Sequence, residues 1–384
     1  MKKIRFAIIG LGLMGREFAS AIARWCHLTD IDTKIDIVAI CSRTKKPDII
    51  KWYTANFSTI TQITDNYLDI VRNPDIDAVY CAVPHHLHKE IYCEIIKSGK
   101  HLLGEKPFGI NKEDNNRILE CIKKHPDVFV RCSSEFPFYP AVQRICDMIE
   151  QKKFGKIIEV NCGLLHSSDL DTEKPINWKR IIEYNGEYGC MGDLGMHVCH
   201  VPFRAGWIPK NVRAILSKII SERPDCNGNR VPCLTWDNAI LFCETVDKLS
   251  GDNFPMILKT ERIAPGEKNT WYIEIIGTIS SARFSTKNPR LLQVLCYQQG
   301  KEQKWENIDI RYEPTFKTIS GSIFEFGFTD VFLQMIAGFV YELCYGKPLK
   351  KFAGCVTPDE TALSHSLFTS AIESYKKHTV IDIT

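Results

Sequence analysis

The chain has 384 residues, enough for two or three domains with sizeable cores. An apolar share of 44% and a charged share of 25% are ordinary for a globular protein, and a net charge of +3 offers no basic face for nucleic acid or a membrane surface. No apolar run approaches eighteen residues, which excludes a transmembrane helix by sequence.

The sixteen cysteines are spread from Cys26 to Cys355 with no C-x-x-C pair. Cys41, Cys81 and Cys93 fall inside strand or helix patterns, where a thiol behaves as a small hydrophobe. This is neither a secreted disulfide framework nor a zinc-ligand spacing, so a reducing cytoplasm and no metal are expected. Lys2 and Lys3 before an apolar run imitate a signal peptide. The run is short, however, Arg16 and Glu17 follow it closely, and no small-residue cleavage site is present.

In chain order, Ile4-Arg5-Phe6-Ala7-Ile8-Ile9 reads as a buried strand leading into Gly10-Leu11-Gly12-Leu13-Met14-Gly15 and a helix over about 14–26. Strand, G-x-G-x-x-G and helix together form the context of a dinucleotide-binding turn, which outweighs a plain strand–turn–helix. Gly10 permits the tight turn, Gly12 the approach of a pyrophosphate, and Gly15 close helix packing. Gly10, Gly12, Leu13, Met14 and Gly15 are therefore the expected phosphate contacts, at the positive end of the helix dipole. Ile35–Cys41 is a second strand. It ends at Ser42 and Arg43, with no acid between positions 41 and 47. An acid there would bind the ribose of NAD, whereas an Arg accommodates the 2′-phosphate of NADP. Ser42 and Arg43 thus favour NADP over NAD, against the plainer reading of Arg43 as a solvated turn residue.

A helical segment around Tyr67–Val71 ends near Asn73-Pro74. A strand over 76–83 stops at Pro84, and a helix from about His85 to Ser98 ends at Gly99. His101-Leu102-Leu103 is a short strand before Gly104-Glu105-Lys106-Pro107. A helix over 112–124 and a strand over 128–130 follow. This rhythm predicts an α/β Rossmann domain with a doubly wound parallel sheet over residues 1–131. Residues 132–384 change character. A helix over 139–151 and a strand over 156–162 precede strands at 214–216, 238–242, 271–276 and 291–295, then helices at 331–345 and 358–377. They predict an α+β domain with an open, mostly antiparallel sheet, its last helices packing back on the first domain.

Lys106 follows a buried strand, where loops line the ligand crevice of an open α/β sheet. It is either a substrate-oxygen donor or a surface lysine in a turn. Asp193 and His197 are four apart and share a helix face. A carboxylate beside an imidazole suits a general base. Equally, Asp193 can cap the helix and His197 pack within it. His85, His86 and His88 lack suitably spaced partners for a metal and more plausibly line a cofactor crevice. Trp178 and Arg180 offer a ring and a cation to a sugar, or ordinary packing.

These motifs together resemble the glucose–fructose oxidoreductase, inositol dehydrogenase and rhizopine-catabolism family (Gfo/Idh/MocA) along nearly the whole chain. Val83-Pro84-His85-His86-Leu87-His88 resembles T-P-N-x-x-H, and Gly99–Pro107 resembles G-K-H-V-x-x-E-K-P. Phe138-Tyr139-Pro140-Ala141 with Gly155-Lys156-Ile157 resembles the family's link into its second domain. Asp193-Leu194-Gly195-Met196-His197 resembles D-x-G-x-H, and Ala371–Ser374 its final helix. The resemblance implies an NAD(P)-dependent dehydrogenase or reductase acting on CH–OH groups of a sugar, sugar derivative or cyclitol. It makes Lys106, Asp193 and His197 catalytic: His197 moves the proton, Lys106 binds the reacting oxygen, and Asp193 orients the site. It adds Pro84, His85, His88, Glu105 and Lys106 to the cofactor contacts and implies a cis Lys106–Pro107 bond. It further implies a homo-oligomer, dimer or tetramer, built on the second domain. His85 stands in place of Asn, Pro137 in place of a frequent Arg, and His200 in place of a frequent Asp, so substrate identity is open. Glu135 and Trp178, with Lys106, Asp193 and His197, are the candidate substrate contacts. The competing functions are a glycosidase that cycles bound NAD through elimination and addition, and a non-catalytic NAD(P)-sensing regulator.

Overall fold

The structure, a computed structural model, describes residues 2–44, 46–311 and 313–383. Its first half runs β1 (Lys3–Ile9), α1 (Leu13–Ala23), β2 (Lys34–Cys41), α2 (Pro47–Asn56), β3 (Gln62–Thr64), α3 (Tyr67–Arg72), β4 (Ala78–Cys81), α4 (His88–Lys97), β5 (His101–Gly104), α5 (Lys112–Lys124) and β6 (Val130–Cys132). Then come α6 (Pro140–Glu150), β7 (Ile157–Leu165), α7 (Ile182–Asn185), α8 (Cys190–Ala205), β8 (Trp207–Pro209), β9 (Asn211–Ser217), β10 (Glu222–Pro224) and β11 (Arg230–Pro232). The chain closes with β12 (Asn238–Asp247), β13 (Asn253–Glu261), β14 (Thr270–Gly277), β15 (Ser280–Ser285), β16 (Leu291–Cys296), β17 (Glu306–Asp309), α9 (Phe328–Tyr345), α10 (Pro358–Lys377) and β18 (Ile381–Asp382). Two compact units divide it. The first holds Met1–Gly109, Glu113–Phe138 and Glu313–Pro358; the second holds Ile110–Lys112, Tyr139–Tyr312 and Asp359–Thr384.

The sheet of the first unit has the order β3-β2-β1-β4-β5-β6, and every pair is parallel. Helices cover both faces, so the strands read as continuous apolar runs; all four residues of β4 are fully buried. The order reverses between β1 and β4, which places a switch point beyond their carboxyl ends. The unit continues past residue 131 and takes in α9 as well. Phe339 of α9 lies 6.2 Å from Phe6 and 5.1 Å from Phe129, centroid to centroid. Glu342 pairs with Arg131, and Cys132 exchanges two backbone hydrogen bonds with Val356, 2.9 and 3.0 Å.

The second unit carries a ten-stranded sheet along the path β17-β16-β15-β14-β7-β13-β12-β9-β18, with β8 added to β12. β7 and β13 are parallel and the other pairs antiparallel, so the sheet is mostly antiparallel as expected. Val160, Cys162 and Leu164 of β7 face α8, and fifteen of the sixteen residues of α8 are buried, Arg204 being the exception. That burial explains its small residues. A Cβ on Gly195 would sit 2.4 Å from the Phe368 ring of α10. The opposite face of the sheet keeps the strict alternation of a half-solvated sheet, leaving Ile215 and Phe242 exposed.

Candidate active site

The glycine turn joins β1 to α1 in the first unit. Gly10 has φ +96°, and a Cβ there would lie 2.3 Å from the Ala82 carbonyl oxygen. A Cβ on Gly15 would lie 2.1 Å from the Gly10 carbonyl oxygen, whereas one on Gly12 would meet nothing within 4 Å. The backbone at Gly12 is thus open, and no side chain caps α1. An open backbone beside uncapped helix N–H groups fits a bound pyrophosphate at Gly12, Leu13 and Met14. Beyond β2, Ser42 Oγ donates to the Thr44 carbonyl oxygen at 3.0 Å, and Arg43 is exposed. Lys45, in the same loop, lies outside the described residues.

Lys106 stands on the loop after β5, and a dense set of contacts fixes that loop. Tyr80 donates to the Glu105 carboxylate and Tyr92 to the Glu105 carbonyl, both at 2.7 Å. The Glu105 N–H bonds the Cys81 carbonyl at 3.0 Å, and Asn115 donates to the Phe108 carbonyl at 3.0 Å. His88 stacks on Tyr92 (4.6 Å, 18°), with Nδ1 beside the Pro107 carbonyl and Nε2 3.0 Å from the Val83 carbonyl, one of which accepts its single N–H. Burial pushes the His88 ring down to about 4. His88 is wholly buried and His85 nearly so; their rings are 5.4 Å apart. Pro84 lies just before His85, at the end of the β4 segment. The Lys106–Pro107 bond is cis. Lys106 itself is half-buried.

Glu135 runs beside this loop, because the Ser133 N–H bonds the Gly104 carbonyl at 2.9 Å. Burial first, and the Glu105 charge second, push its carboxyl up to about 7; Lys106 opposes them. A carboxyl raised in the folded state holds a proton that the unfolded chain releases at its ordinary value of 4.5. Stability therefore falls as pH rises through that window. Glu135→Gln is expected to match the wild type near pH 4 and to exceed it by about 3 kcal/mol at pH 8. Urea unfolding midpoints measure this, and parallel pH profiles for the two proteins would refute it.

In the second unit, Gly189, not Asp193, occupies the N-cap of α8, so Asp193 is not a capping residue. Its fully buried carboxylate accepts two hydrogen bonds from Lys179 Nζ, 2.9 Å to Oδ1 and 3.0 Å to Oδ2. Arg262 donates to Oδ2 as well. His197 is buried one turn further on, and its carbonyl accepts the Trp271 indole N–H at 3.0 Å. Trp178 is half-buried beside Lys179, whose ammonium stands 5.6 Å from its ring centre. Arg180, for which the sequence leaves open a sugar contact or ordinary packing, is fully buried between Asp169 and Asp237. His200, also on α8, is pushed down to about 3 by burial and then by Arg204.

Sequence reading missed Lys179, Arg262 and His166. His166, at the end of β7, is pushed down to about 4 by burial first, then by Arg262. Among the described residues no group of three or more His, Cys, Asp or Glu is arranged to hold a metal, and no helix is long and apolar enough to cross a membrane.

A six-stranded parallel sheet with an open glycine turn at its switch point defines the class, a Rossmann-type dinucleotide-binding fold. Residues 4–132 match the model of the GFO_IDH_MocA oxidoreductase family, NAD-binding Rossmann fold. Levoglucosan dehydrogenase of Pseudarthrobacter phenanthrenivorans is 25% identical over 307 residues, 77% of this chain and 76% of that one. An uncharacterized oxidoreductase of Synechocystis is 27% identical over 225 residues, and the match spans only 58% of either protein's length. A solved levoglucosan dehydrogenase in complex with NADH and L-sorbose superposes with a TM-score of 0.86 over the full length of both chains at 21% identity, which shows a shared fold.

Proposed function

We propose that the protein is an NAD(P)-dependent oxidoreductase that exchanges hydride with a secondary alcohol or ketone carbon of a sugar, sugar derivative or cyclitol. The observation that carries this reading is the Lys106 loop, rigidly held at the carboxyl end of β5 in the sheet that also bears the open Gly12 turn. The nicotinamide supplies the hydride chemistry when bound. Lys106 donates a hydrogen bond to the reacting oxygen, His197 takes or returns the hydroxyl proton, and Asp193 orients the group. Glu135 and Trp178 contact the substrate, while Pro84, His85, His88 and Glu105 shape the nicotinamide side. The levoglucosan dehydrogenase match supports a sugar-like substrate.

Arg43, exposed at the end of β2, supports NADP. A panel of sugars, sugar phosphates and inositols is expected to yield turnover, with kcat/KM about tenfold higher for NADP than for NAD. A clear NAD preference would defeat the Arg43 argument, and silence across the panel with both cofactors would defeat the reading. Aglycone release from a glycoside without net cofactor reduction would assign the redox-cycling glycosidase instead. The exposed sheet face around Ile215 and Phe242 supports a homodimer or tetramer, decided by light scattering against the chain mass of 43.9 kDa.

A further inference from the structure

Segments far apart in sequence meet in the second unit as a ladder of alternating charge. Its order is Lys179, Asp193, Arg262, Asp169, Arg180, Asp237. Arg262 Nε reaches Asp169 at 3.0 Å and Arg180 Nε reaches it at 2.8 Å. The inner rungs are at most 8% exposed, whereas the Lys179 side chain is 29% exposed. The backbone of Lys179 is pinned on both sides. Its N–H donates to Asn177 Oδ1 at 3.0 Å, and its carbonyl accepts from Thr235 at 2.9 Å.

We infer that Lys179 is a positioning residue that fixes the orientation of the Asp193 carboxylate on α8, one turn from His197. The inference rests on the proposed catalytic role of Asp193 and His197. Arg262 grips one oxygen of Asp193. The last carboxylate torsion is intrinsically soft, so a bond to one oxygen restrains it less than bonds to both. Lys179 bonds both oxygens and removes that freedom. Among the rungs of the ladder Lys179 has the most exposed side chain, while the Asp193 carboxylate it grips is fully buried. The interior rungs from Arg262 to Asp237 serve the fold, and the outermost rung serves the site. His166, also near Asp193, is pushed towards its neutral form by burial and then by Arg262, while Lys179 and Arg262 both pair with the carboxylate.

The test uses the full chain with Lys179→Met and Lys179→Arg. Lys179→Met is expected to lower kcat by about 10- to 100-fold with KM changed by less than about threefold. Lys179→Arg, which keeps the charge, is expected to recover kcat to within about fivefold of the wild type. Unchanged kcat in Lys179→Met, an effect on KM alone, or no recovery with Arg would each overturn the inference. A second measurement needs no turnover: Lys179→Met should lower Tm by about 3 °C in the wild-type background and by less than about 1 °C beside Asp193→Asn. Equal lowering in both backgrounds would break the Lys179–Asp193 link. Coupling in Tm with normal kcat would overturn the positioning role and leave the dehydrogenase reading standing. Coupling with a wild type inert on the whole panel would mark failure of the dehydrogenase reading, and with it the catalytic purpose assigned to Lys179.

Discussion

Replacing Lys106 by alanine is expected to lower kcat by about 10³-fold while reduced-cofactor binding stays within about threefold. The loop contacts explain why the two effects separate. Glu105 is held by Tyr80 and Tyr92, and Pro107 by His88, so the backbone on both sides of Lys106 keeps its place without the amine. The glycine turn, which is expected to carry the phosphates, lies after a different strand, β1. What is lost is one preorganised donor to an oxygen that gains charge as hydride moves, and such a donor acts chiefly in the transition state. Steady-state rates on an identified substrate and quenching of protein fluorescence by reduced cofactor provide the two readings. Full turnover in Lys106→Ala would remove the residue from the reaction; lost cofactor binding would reassign it to the nucleotide site.

The second large effect is structural. Arg180→Met is expected to destabilise the protein by about 3–5 kcal/mol, because it breaks a buried ion pair and strands its partners. Arg180 is fully buried, 2.8 Å from Asp169 and bonded to Asp237. Asp237 also accepts the backbone N–H groups of Ile219 and Ile220, so its carboxylate is fixed and cannot swing out to solvent. Asp169 retains Arg262, which makes Asp237 the more stranded of the two. The denaturant midpoint measures the change. A loss below about 1 kcal/mol would mean that water or rearranged neighbours replace the guanidinium, as at a surface pair.

The parallel sheet was legible through β1, β2, β4 and β5, which are compact apolar runs between helices, and the helix over 112–124 was read to its ends. Lys106, Asp193 and His197 stand in short local motifs, which is what singles them out as candidates in the chain alone. The ladder was not. Its members run from Asp169 to Arg262, and a Coulomb contact between distant residues leaves no period in the chain. Arg180 looks like any surface cation until its two acids are in place. β13 was missed for a different reason. Proline inside a run argues against a central strand, but Pro255 precedes Met256, where pairing with β7 begins, so the strand is still an edge at that position. β3 has three residues and none is buried, so it offers no apolar signal.

The packing of α9 sets an order of assembly. During synthesis the six parallel strands and their first helices emerge by residue 132, yet α9, which meets Phe6 and Phe129 through Phe339, is still some two hundred residues away in translation, as is the Val356 partner of Cys132. The amino-terminal unit must wait with that apolar surface uncovered while the whole intervening sheet is made. A message cut short before residue 358 therefore yields a chain with neither unit complete.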